Sequence, residues 1–96
     1  MKRSALDECL IDALADLSHQ QWSGWWLYAF SKGTVNDQGE LIFPAWAVAR
    51  WTRQMKTPYA DLSEDEKKSD RVEAEKIITL LRRLRNVSCG AEESDL

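Results

Sequence analysis

Apolar residues recur along this chain with more than one period, and the changes of period divide it. Leu6, Cys9, Leu10, Ala13, Leu14 and Leu17 fall three or four apart, the spacing that lays side chains along one face of an α-helix. Ser4 stands where an N-cap belongs. Beyond Ser18 the apolar phase shifts to Trp22, Trp25, Trp26, Ala29 and Phe30. Gly24 weakens a helix without stopping it, and no proline or paired turn residues intervene. The pattern predicts one long helix reaching about Ser31.

The texture then changes. Two short β-prone arms, Thr34-Val35 and Glu40–Phe43, flank a polar turn with glycine, which predicts a small hairpin that must lie on the helices to be stable. Pro44 suits the first turn of a second helix, Ala45 to about Met55, and Thr57-Pro58 ends it because the residue before proline avoids helical backbone. Ser63-Glu64-Asp65-Glu66 has the form of a capping box, with Leu62 placed to staple onto the first turn. The last helix runs to about Asn86, with Val72, Ala74, Ile77, Ile78, Leu81 and Leu84 as its buried stripe. The expected fold is mainly α: a single small domain of three to four helices with a short β-hairpin. It spans 1–90, and residues 91–96 form a flexible acidic tail.

Composition sharpens this. Ninety-six residues, 44% of them hydrophobic, suffice for one core and not two. Five tryptophans exceed what such a core hides, so one or two are expected at a surface or pocket. Trp25 and Trp26 point to different sides of their helix, which predicts one ring inside and one outside. The same split is expected of Trp46 and Trp51. Cys9 and Cys89 have no ligand-like spacing to each other or to His19, so no metal is expected. Two reduced thiols are the expected state, with a disulfide between the chain ends as the alternative. No apolar run approaches the roughly 18 residues of a membrane span, and Met1-Lys2-Arg3 leads into no secretory stretch. A cytoplasmic protein with no membrane contact is expected.

The net charge of −3 conceals a gradient. Residues 1–49 carry three basic and six acidic side chains, residues 50–86 ten and seven, and the last ten residues three acids and no base. A dedicated nucleic-acid binder would show a clear basic excess, so that class is disfavoured. Arg50, Arg53, Lys56, Arg82, Arg83 and Arg85 form either one local positive surface or ordinary helix electrostatics, since cations are stabilising at a helix C-terminus. There is no glycine-rich phosphate loop, nucleophile elbow or metal signature, and the carboxylates of the last helix alternate with lysines as on a solvated face. No enzyme and no cofactor is expected.

One constellation is more specific. His19 and Trp22 form a His-x-x-Trp, and Tyr59, Leu62, Glu66, Lys67, Asp70 and Arg71 follow at offsets 0, +3, +7, +8, +11 and +12. Helix-entry chemistry accounts for Leu62 and Glu66 but requires neither Tyr59 nor Asp70-Arg71. Together these residues resemble the RyR domain, the non-catalytic module repeated in ryanodine receptors and found in bacterial and phage proteins. The resemblance covers the fourteen residues Pro58–Arg71 and the four of His19–Trp22. The family's usual Gly-Trp-x-Tyr-Gly segment is replaced here by WLYAFSKG, and Trp26 stands where a basic residue is common.

The resemblance implies a binding module for a nucleotide-derived small molecule. Trp22 would stack the base, Trp25 or Trp26 and Tyr59 would line the site, and Arg71 or Arg53 would meet phosphate. His19, one turn before Trp22, either fixes the helix or touches ligand. A free-standing module of this kind looks like a phage product acting on a host nucleotide signal. Receptor modules occur in pairs and this chain holds one copy, so a homodimer is expected to complete the site. The alternative from another class is a protein-interaction adaptor or inhibitor working through exposed tryptophans.

Overall fold

A computed structural model describes residues 4–86. Its elements are α1 (Ala5–Lys32), β1 (Thr34–Val35), β2 (Leu41–Ile42), α2 (Ala45–Met55), a short 3-10 turn (Tyr59–Asp61) and α3 (Glu64–Asn86). The mainly α fold with a small hairpin is the one the apolar pattern predicts. The tail 91–96 lies outside the described residues. None of the described helices is long and apolar enough to cross a membrane.

The described residues form two compact units, one holding 4–21 and 70–86, the other Trp22–Ser69. In the first, α1 opens on a reciprocal cap: the Asp7 amide donates to Ser4 Oγ at 3.0 Å, and the Ser4 amide to Asp7 Oδ2 at 3.4 Å. Gln21 Nε2 donates to the Glu73 carbonyl at 3.0 Å, joining residues 52 apart in sequence. Leu10, Ala13, Leu14 and Leu17 of α1 are half-buried, as are Leu80 and Leu84 of α3.

Two expectations are corrected here. Of the stripe predicted to be buried on α3, Val72, Ala74, Ile77, Ile78 and Leu81 are exposed. A stripe that wide needs neighbours on two sides, and a pair of helices can cover only one seam of each other. Cys9 is disulfide-bonded, not a free thiol. Spacing along a sequence carries no signal that the start of α1 and the end of α3 share one unit. Cys89 lies outside the described residues.

In the second unit the hairpin pairs Thr34 with Ile42 and Val35 with Leu41, antiparallel. Asn36 organises its turn: Oδ1 accepts from the Gln38 and Glu40 amides at 3.0 and 2.9 Å, and the Asn36 carbonyl accepts from the Gly39 amide. Gly39 has φ +82°, a backbone region that favours glycine. α2 has the expected bounds, with Pro44 as its N-cap, whose carbonyl accepts from the Ala47 and Val48 amides. Thr57 Oγ1 donates to the Arg53 carbonyl at 2.6 Å and closes the helix before Pro58. The fully buried apolar residues are small, Ala29 and Ala47, with Leu62 nearly so. The bulk of the apolar volume in this unit therefore sits in aromatic rings that remain partly open.

Candidate functional site

Helical spacing assembles the rings. Trp22, Trp26 and Phe30 are four apart on α1, so each lies one turn above the last. The Trp22 and Trp26 rings are parallel, 7° apart with centroids at 6.3 Å, and Phe30 meets Trp26 edge-on at 6.2 Å. Trp25 lies beside this ladder, 6.5 Å from Trp26, and bridges to Trp51 of α2 at 5.9 Å. Trp51 is the hub. It also meets Tyr28 at 6.4 Å, Phe43 at 5.2 Å and 82°, and Trp46 at 6.5 Å. Lys32 Nζ stands 5.2 Å from the centre of the Tyr28 ring, a cation–π contact one helical turn long.

Exposure separates support from surface. Trp51 and Phe43 are half-buried. Trp22 is 59% exposed, and Trp25, Trp26 and Trp46 are exposed as well. The predicted inside–outside split thus holds for Trp51 against Trp46 and fails for Trp25 against Trp26, both of which face solvent. The buried position of this stretch of α1 is taken by the small Ala29. The result is a contiguous aromatic surface, far larger than isolated exposed apolar residues would make.

Charge is organised nearby in sequence around Glu66, which is 4% exposed. Arg53 Nη2 donates to Glu66 Oε2 at 2.5 Å, Arg50 Nε lies 3.7 Å from the same oxygen, and the Ser63 amide donates to Oε1 at 3.3 Å. The Glu66 amide in turn donates to Ser63 Oγ at 3.2 Å, completing the predicted capping box. The Arg53 hydrogen bond holds the Glu66 carboxyl below its ordinary value of 4.5; burial opposes this, and the Ser63 bonds reinforce it.

The candidate residues therefore distribute as follows. Trp22, Trp25 and Trp26 come together. Tyr59 is exposed at the start of the 3-10 turn and makes no ring contact with them. Arg53 is engaged by Glu66. His19 and Arg71 are exposed and belong to the other unit. The outer side of α2 forms an open groove of about 800 Å³, with Ala45, Val48, Ala49, Thr52 and Lys56 in its lining and Arg53 as its one predicted site residue. No cluster of His, Cys, Asp or Glu able to hold a metal ion occurs among the described residues. Sequence reading missed Trp51 as the hub. The signal lay in Ala47, Trp51 and Gln54, spaced four and three apart, the face of α2 that is least exposed.

No protein-family model, no curated protein and no solved structure matches this chain.

Proposed function

We propose that this chain is a non-catalytic, RyR-type binding module that holds a nucleotide-derived small molecule by stacking its base on the tryptophans of α1. The observation that carries this reading is the parallel Trp22–Trp26 pair, with Trp22 open to solvent at the end of the ladder. Stacking on an indole contributes roughly 1–3 kcal/mol per base and needs no particular hydrogen-bond pattern. Arg53 enters only in competition with Glu66, so a phosphate would have to displace a carboxylate from its guanidinium. In this reading the protein acts in the cytoplasm as a phage-type product that sequesters a host nucleotide signal, and two copies pair.

Calorimetry against adenine nucleotides, ADP-ribose and cyclic dinucleotides tests it. Heat with at least one of them, lost in Trp22→Ala, is the expected result. Silence from the whole panel, or binding indifferent to Trp22→Ala, removes the ligand.

A second reading rests on a different observation. The rings form a chain of contacts from Trp22 to Trp46 that passes through half-buried Trp51 and leaves the others exposed, and Trp is among the residues enriched as interface hot spots. Under this reading the module is an adaptor or inhibitor that captures a protein. A co-purifying protein retained without added metabolite, and lost when Trp22 and Trp25 are replaced, selects it over the small molecule.

A further inference from the structure

The first unit presents an apolar face that its own two helices do not cover. Gln21 bonds the Glu73 carbonyl, and residues 5–21 and 70–86 lead away from that junction within one compact unit, so the two segments run antiparallel. The seam between them follows Leu6, Leu10, Leu14 and Leu17 on α1 and Glu73, Ile77, Leu80 and Leu84 on α3; all but Leu6 and Ile77 are half-buried, as are Cys9, Ala13 and Gln21 beside the α1 line. One residue C-terminal to each seam position lies a second strip. On α1 it is Asp7, Ile11, Ala15 and Ser18; on α3 it is Ala74, Ile78, Leu81 and Arg85. In two antiparallel right-handed helices, strips displaced in the same sense from their seam turn to the same side of the pair. Ile11, Ile78 and Leu81 are 39%, 47% and 46% exposed there, and Ala15, Ser18 and Ala74 are small enough to let a facing helix come close.

We infer that this face is covered by a second copy of the chain, forming a four-helix bundle about a two-fold axis parallel to the helices. Charge selects that arrangement. The strip on α1 begins with acidic Asp7, and the strip on α3 ends with basic Arg85 at the same end of the unit. A two-fold axis along the helices places α1 of each copy over α3 of the other, so Asp7 meets the partner's Arg85. A perpendicular axis would separate them by the length of the unit. Sizes agree as well. With Gln21 level with Glu73, Ala15 falls within a turn of the partner's Ile78, and Ile11 within a turn of the partner's Leu81. Each segment is ~25 Å long and the pair roughly 20 Å wide, so two such faces bury on the order of 1,000 Å², the threshold for a specific interface. The surface rests only on the pairing part of the proposed function and is independent of the ligand.

Sedimentation and light scattering on the full chain test it. Wild type is expected at twice 11.1 kDa at micromolar concentration. Ile78→Glu with Leu81→Glu should weaken the dimer by about 100-fold or more, since it buries unpaired charge in a symmetric contact, with helical circular dichroism retained. Asp7→Lys and Arg85→Glu should each weaken pairing, and an equimolar mixture of those two single variants should restore it as a heterodimer. That rescue cannot come from a folding defect, so it decides the matter even if the apolar variant misfolds. A wild type of monomer mass throughout overturns both the pairing and this surface. A wild-type dimer indifferent to Ile78→Glu with Leu81→Glu overturns the surface alone, and dissociation without rescue in the mixture overturns the parallel axis.

Discussion

Arg53 and Glu66, thirteen residues apart, meet in an ion pair in which an exposed guanidinium seals a buried carboxylate. The same carboxylate reaches back to the Ser63 amide and closes the capping box of α3. One side chain thus starts a helix and fastens α2 to it within the second unit. A buried charge is tolerable only when its oxygens are occupied, and here both are. Within the proposed ligand reading, this also sets how free Arg53 is to meet a phosphate.

Replacing Glu66 by Gln removes the ion pair and weakens the cap, and should lower the thermal midpoint by several degrees at neutral pH. The pH dependence follows from the lowered carboxyl. Because its folded-state pKa lies below 4.5, the stabilisation is fully present above that value and is lost as pH falls through the folded value. Wild type and Glu66→Gln should therefore differ most between pH 5 and 7, a window above that value, and converge on further acidification. Thermal melts of both proteins across this range check it; a constant gap down to pH 2, roughly two units below an ordinary carboxyl, would contradict it.

Trp51 and Trp22 should separate stability from binding. Trp51→Ala removes a half-buried hub with four ring neighbours and should cost about 2–3 kcal/mol, below the full core value because the ring is only partly enclosed. Trp22→Ala removes a ring that is mostly in water and keeps one stacking partner in Trp26, and should cost about 1 kcal/mol or less, well under Trp51→Ala. Urea melts followed by circular dichroism measure both. The reverse order of costs would mean that Trp22 is a core residue, and would take the stacking proposal with it.

The elements were legible because their ends carry local chemistry. Ser4, the Asn36–Gly39 turn, Pro44, Thr57-Pro58 and Ser63–Glu66 each act within a few residues of themselves, so their effect can be read from neighbours in sequence. Burial was less legible. Ile78 and Leu81 have the spacing of a core stripe, but whether a stripe is covered depends on how many helices surround it, which no local pattern encodes. The aromatic site lay between these cases. Trp22, Trp25 and Trp26 are close in sequence and could be grouped, whereas Trp51 and Phe43 join them only through the placement of α2 and the hairpin. The Arg53–Glu66 pair escaped notice for the same reason, because both residues had adequate explanations within their own helices.

Two glycines should respond in opposite directions. A Cβ added at Gly33 would stand 2.8 Å from Leu41 Cδ1 and 3.0 Å from the Ile42 carbonyl oxygen, so β2 would have to move away from the end of α1. Gly33→Ala should therefore destabilise the hairpin, seen as faster amide exchange at Asn36 and Gly39, whose amides close the turn. At Gly24 a Cβ meets nothing within 4 Å, and the residue sits inside α1 between Trp22 and Trp25. Gly24→Ala should stabilise the helix by about 0.5–1 kcal/mol. Because it adds no contact to the rings, it should leave the Trp22–Trp26 stack in place and any ligand affinity unchanged. A rise in stability accompanied by lost binding would show instead that the site needs a pliable α1, and the rigid stacking platform proposed for these tryptophans would have to be given up.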